Sequence, residues 1–275
     1  MDRELVLSGL VLASAGPALL MTASWGRTGA TTMGLSEPQC WQRLWIPAVP
    51  AALMVCGLLG WSLREPATSE PLPWTLLAIG MPVTVVWSRA VLRALRAIWC
   101  KPRGAYAAAI GVVRPRIVID SRLRAALDPA ALHAVEAHEL AHVCHRDPLR
   151  IWLAQLITDL QWPLPGAPRR FEAWLKALEM ARDDEARRRG VDGVDLAAAV
   201  IASAQFTLGN GRYAGITGSG ADLAERVDRL LSPLASDGPP RWSTGLFVTP
   251  LFGLAAVLGA AFGETAMRAL LAIVP

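Results

Sequence analysis

All four histidines of this chain, His133, His138, His142 and His145, fall within one short window. At its centre stands His138-Glu139-Leu140-Ala141-His142, an H-E-x-x-H pattern. On a helix the two histidines are one turn apart on one face, so two imidazole nitrogens can meet on a single zinc ion. Glu139, next to the first, can take a proton from water activated by that ion. A catalytic zinc uses three protein ligands and keeps one position for water. His145 shares the face but lies about 10 Å from His138 along a helix axis, too far to share a metal whose bonds are near 2 Å. The third ligand must come from elsewhere, and the run Glu179-Met180-Ala181-Arg182-Asp183-Asp184-Glu185 supplies it. Glu179 and Asp183 are one turn apart, so Glu179 can reach the metal while Asp183 accepts the free ring N–H of a ligand histidine and fixes its tautomer. Asp184 and Glu185 fall on other faces, as partners for Arg182, Arg187 and Arg188.

Helices have to hold these residues in place. Asp128 is a helix N-cap and Pro129 a first helical residue, for a helix reaching about His145. Asp147-Pro148 repeats that start signal for a second helix through about Trp162. After the prolines between 163 and 168, a third helix covers about Arg169 to Arg189 and stops at Gly190. Two more run near Asp195 to Leu208 and Ala221 to Leu231, around a glycine-rich loop from Gly209 to Gly220. Upstream, Ala107 to Val113 and Ile117 to Asp120 read as two short strands joined at Arg114-Pro115-Arg116. The second strand, closest in sequence to the H-E-x-x-H helix, is the one expected to pair with an extended substrate. Arg116, His145 and Tyr213 are candidates for stabilising an oxyanion.

With 53% apolar residues and 18% charged, the chain is too apolar for a wholly soluble or disordered protein. A net charge of +4 gives no reason to expect direct nucleic-acid binding. Four runs carry no charged side chain: Leu5 to Trp25, Leu44 to Leu63, Pro71 to Ser88 and Trp242 to Gly263. Each matches the roughly 17–25 residues that span a bilayer, and tryptophans cluster at their ends as in an interfacial belt. Met1-Asp2-Arg3-Glu4 lacks the positive start of a cleaved signal peptide. Arg27 and Arg43 flank the first loop, and Arg89, Arg93, Arg96, Lys101 and Arg103 follow the third span. This places both segments in the cytoplasm and both termini outside. Arg89, Arg93 and Arg96 share a helical face, so the third helix is expected to run on past the bilayer and meet anionic headgroups. Cys40, Cys56, Cys100 and Cys144 form no C-x-x-C pair. The expected fold is a mainly α integral membrane protein. Residues 1–88 form three transmembrane helices, 89–241 a cytoplasmic helical zincin-type domain with a short β-hairpin, and 242–275 the fourth transmembrane helix with a short tail.

The segments Arg114-Pro115-Arg116-Ile117-Val118-Ile119, Asp128-Pro129 through His138 to Leu149, and Glu179-x-x-x-Asp183-x-x-Ala186 resemble the membrane zinc metallopeptidases of the BlaR/MecR antirepressor type. The order of three spans, zinc domain and fourth span is similar as well. The resemblance implies a cytoplasmic zinc endopeptidase, with a winged-helix repressor of antibiotic-resistance genes as its protein partner and membrane lipids around it. The chain departs from the best-known members in having no extracellular penicillin-binding domain after the fourth span, so β-lactam sensing is not expected of it. The motifs are also similar to those of the HtpX and CAAX-prenyl membrane proteases, which place a hydrophobic hairpin between them. A rival of another class is a non-catalytic membrane signalling protein with a structural zinc, but this needs a fourth protein ligand and leaves Glu139 without a task.

Overall fold

The computed structural model describes residues 36–45, 47, 74–99, 107–161, 166–209 and 220–234. These form α1 (Glu37–Trp45), α2 (Trp74–Trp99), β1 (Ala107–Ile110), β2 (Arg116–Ile119), α3 (Ser121–Ala126), α4 (Pro129–Cys144), α5 (Asp147–Leu160), α6 (Ala167–Arg188), α7 (Gly193–Gly209) and α8 (Gly220–Leu231). The architecture is mainly helical with one two-stranded antiparallel hairpin, consistent with a zincin-like domain. The chain divides into two compact units. One comprises Met1–Arg89, Ile157–Arg170 and Trp242–Pro275, the other Ala90–Leu156 and Phe171–Arg241.

In the first unit, α1 buries Cys40 and Leu44. The buried Gln161 side chain donates to the Leu44 carbonyl at 2.7 Å, and Arg170 donates to Gln161 Oε1 at 2.7 Å. The uncharged runs beginning at Leu5 and Trp242, and nearly all of the one beginning at Leu44, lie outside the described residues. The third run overlaps α2, which continues through Arg89, Arg93 and Arg96 to Trp99. Among the described residues, no helix is long and apolar enough to cross a membrane.

The second unit is built around α4. Asp128 caps it, accepting the Ala131 N–H at 2.7 Å, and Pro129 opens it with a φ already suited to the helix. Its buried stripe is apolar in the first half (Ala131, Ala134, Val135) and chemical in the second (His138, Glu139, His142). The apolar half anchors the helix. Ala134 packs with Ala186, Val191, Leu196, Ala197 and Leu230, and Ala131 and Val135 pack with Ala199. Alanines at these positions let α4 and α7 come close together.

The hairpin lies against the same helix, with Ala107 opposite Ile119 and Ile110 opposite Arg116. Strand β1 ends three residues before the expected Val113, because Gly111 turns the chain at φ 106°. The helix starting at Ser121 was not anticipated; Asp120 caps it by accepting the Arg122 N–H at 2.8 Å. At the far end, Gly193 sits so close to α8 that a Cβ on it would overlap the Leu230 carbonyl. This close approach seats α8 against the start of α7.

Candidate metal centre

The structure brings three of the residues singled out in the sequence to one point. His138 and His142 Nε2 face each other at 3.1 Å. His138 Nε2 lies 3.5 Å from Glu179 Oε2, and His142 Nε2 lies 3.6 Å from Glu179 Oε1. Two bonds of about 2 Å at a tetrahedral angle place their ligand atoms about 3.3 Å apart, so these separations suit the edges of one tetrahedral site. Two nitrogens and a carboxylate oxygen are also the donor set that zinc favours. His138, His142 and Glu179 are thus positioned to bind a zinc ion, with donor atoms all within 4.8 Å of one another.

Each histidine turns Nε2 inward because its other nitrogen faces a buried carboxylate. His138 Nδ1 is 2.9 Å from Asp183 Oδ1, a charge contact rather than a well-aligned hydrogen bond. His142 Nδ1 is 2.9 Å from Asp147 Oδ2. Both aspartates are almost fully buried, and an arginine grips both oxygens of each: Arg182 on Asp147, Arg226 on Asp183. Arg150 adds a contact to Asp147 at 3.0 Å. The site is therefore two parallel relays, His138–Asp183–Arg226 and His142–Asp147–Arg182. Carboxylate partners of this kind orient a ligand imidazole and raise its basicity.

The electrostatics follow from this crowding. Burial works against a charged His138, yet the neighbouring Asp183 and Glu179 carboxylates push its pKa up to about 9. Burial also opposes ionisation of Asp147, but His142 and Arg182 bring it down to about 2. Glu179 and Asp183 are likewise held below the usual carboxylate range, burial being outweighed by Arg226 and the histidines. Glu139 goes the other way. Burial raises its pKa, opposed by His138 and His142, and its carboxylate accepts the Ala109 N–H. The carboxylates of Asp147, Glu179 and Asp183 face the guanidiniums of Arg150, Arg182 and Arg226.

Several expectations need correcting. Asp147 does more than start a helix: its side chain is fully buried on His142, which sequence spacing alone did not reveal. The available signal was its position five residues after His142, where an aspartate can turn back onto that ring. Arg182 reaches Asp147 as well as Glu185, while Asp184 pairs with Arg229. Strand β1 reaches the site through the Ala109 N–H on Glu139. Arg116 sits at the turn end of the hairpin, opposite Ile110. His145 lies 2.8 Å from Glu185 and is not one of the three residues that converge. Tyr213 lies outside the described residues. Arg226 was not singled out at all, because an arginine on an otherwise ordinary amphipathic helix carries no motif.

Residues 80–164 match the model of Peptidase family M48. The matched span holds the hairpin, the H-E-x-x-H helix and Asp147, and it ends before Glu179 and Asp183. It supports that metallopeptidase family generally and contains nothing specific to the antirepressor type. No curated protein and no solved structure matches the chain.

Proposed function

From the premise that this chain is a zinc-dependent metalloendopeptidase, we propose that it is anchored in a membrane and cuts protein substrates at the cytoplasmic face. The convergence of His138, His142 and Glu179 on one point, with buried Glu139 on the same helix face, carries the hydrolytic reading. Zinc, when bound, supplies a Lewis acid and makes water nucleophilic near neutral pH. The chain's own residues do the rest. Glu139 takes a proton from the attacking water and delivers it to the leaving amine, and its burial lifts its pKa toward the range suited to that task. Asp183 and Asp147 keep both ligand rings turned toward the metal. An extended peptide adding to the hairpin lies along β1, the strand whose Ala109 N–H reaches Glu139.

The membrane anchor is supported by the four uncharged runs and their tryptophans. It also fits α2, where Val91, Leu92, Leu95 and Ile98 are exposed on the same helix as Arg89, Arg93 and Arg96, a composition that suits lipid headgroups. Within this reading, the resemblance to antirepressor peptidases favours a winged-helix repressor as the regulatory substrate. A quality-control role on membrane proteins uses the same chemistry on other substrates. Detergent-purified protein, incubated with a winged-helix repressor and separately with a damaged membrane protein, tells the two apart. The account expects cleavage of the repressor that stops with Glu139→Gln or with a chelator. Equal cleavage by the Glu139→Gln protein contradicts the hydrolase assignment, and cleavage of the membrane protein alone contradicts the regulatory one.

A further inference from the structure

Arg226 reaches the site from α8 and contacts three different parts of it. Its Nε and Nη2 hold both oxygens of Asp183, Nη1 lies 3.1 Å from Glu179 Oε2, and Nη2 lies 3.4 Å from His138 Nε2. Among the described residues, Arg226 is what holds the Glu179 carboxylate apart from the two histidines. The Glu179 side chain is 39% exposed, so packing alone does not fix its carboxylate. Helix α8 is in turn fastened to α6 by Lys176 on Asp222 and Glu225, by Arg229 on Asp184, and by Arg187 on the Arg229 and Ser232 carbonyls. The buried Leu230 seats the helix in the core.

We propose that Arg226 is a positioning residue for the metal centre. It locks the planes of the Asp183 and Glu179 carboxylates at once, so that Asp183 keeps the His138 ring turned and Glu179 presents an oxygen to the metal. The planar fork of a guanidinium can grip two carboxylates in fixed directions, and a lysine ammonium cannot. The proposal rests on the zinc assignment and makes a counterintuitive demand. Coulomb's law alone says that removing a positive charge beside a divalent cation tightens binding. Positioning says the opposite.

The test uses the full chain in detergent. The zinc dissociation constant is measured by chelator competition, and the coordination geometry by the visible spectrum of the cobalt(II)-substituted protein. Circular dichroism and Tm check the fold. Arg226→Met is expected to weaken zinc by about 10–100-fold and to alter the cobalt spectrum. Arg226→Lys is expected to fall between it and the wild type. Arg229→Met, which loosens α8 without touching the metal set, is expected to keep wild-type affinity. Tighter or unchanged zinc binding in Arg226→Met overturns the proposal, as does an equal loss in Arg229→Met. Should Arg226→Met fail to fold, a folded Arg226→Lys with wild-type affinity and spectrum overturns it. A wild-type chain that binds no zinc removes the zinc reading itself, a result distinct from all of these.

Discussion

At the scale of single residues, the metal set is a problem of orientation. An imidazole has two nitrogens, and what faces one decides where the other points. Asp183 and Asp147 settle that for His138 and His142. Asp147→Asn and Asp183→Asn should therefore each weaken zinc by about 10–100-fold, as read by chelator competition, and each should also lower Tm, since the arginine that grips each buried aspartate loses its charged partner. The charges make a second prediction, for the metal-free protein. The pKa of His138 is pushed from an ordinary 6.5 up to about 9 by its carboxylate neighbours, so its ion pairs contribute fully below 6.5 and fade as pH rises through about 9. Chelator-treated protein should lose Tm across that window. Zinc-loaded protein should lack that loss, since the metal takes the proton's place on His138. A flat Tm profile for the metal-free form across pH 6.5 to 9 contradicts the assigned contacts.

At the scale of elements, what positions the site is packing by small residues and polar docking. Leu230→Ala in the core beside Ala134 should cost about 2–5 kcal/mol and lower Tm accordingly. Gly193→Ala should do similar harm by pushing its new Cβ into the Leu230 carbonyl, and thermal unfolding of both variants checks this. The helices around the site were legible because each one announces itself. Asp128-Pro129 and Gly190 mark starts and stops, and the H-E-x-x-H and E-x-x-x-D spacings place ligands on faces by the period of 3.6 alone. The hairpin was legible too, but the Ala109 N–H on Glu139 was not, since it is a tertiary contact that no spacing in the sequence announces. Asp147 and Arg226 were illegible for a related reason. Each acts through a tertiary contact, and no spacing rule links Asp183 on α6 to an arginine on α8.

At the scale of the whole molecule, the described residues account for a zinc-binding helical unit, and the apolar runs suggest how it is held at its place of work. The prediction here is physical. The chain should stay with the membrane pellet after an alkaline carbonate wash and come off only in detergent, because four uncharged runs of spanning length resist extraction by water. Release into the wash contradicts the anchor and leaves the peptidase assignment intact. The charged residues gather between Arg89 and Arg241, away from the four uncharged runs. The most direct test of the central claim is the zinc content of the purified chain by elemental analysis, beside that of His142→Ala and Glu179→Gln. The account predicts about one zinc per wild-type chain and a large loss in both variants. Zinc retained at wild-type stoichiometry in the two variants would contradict it.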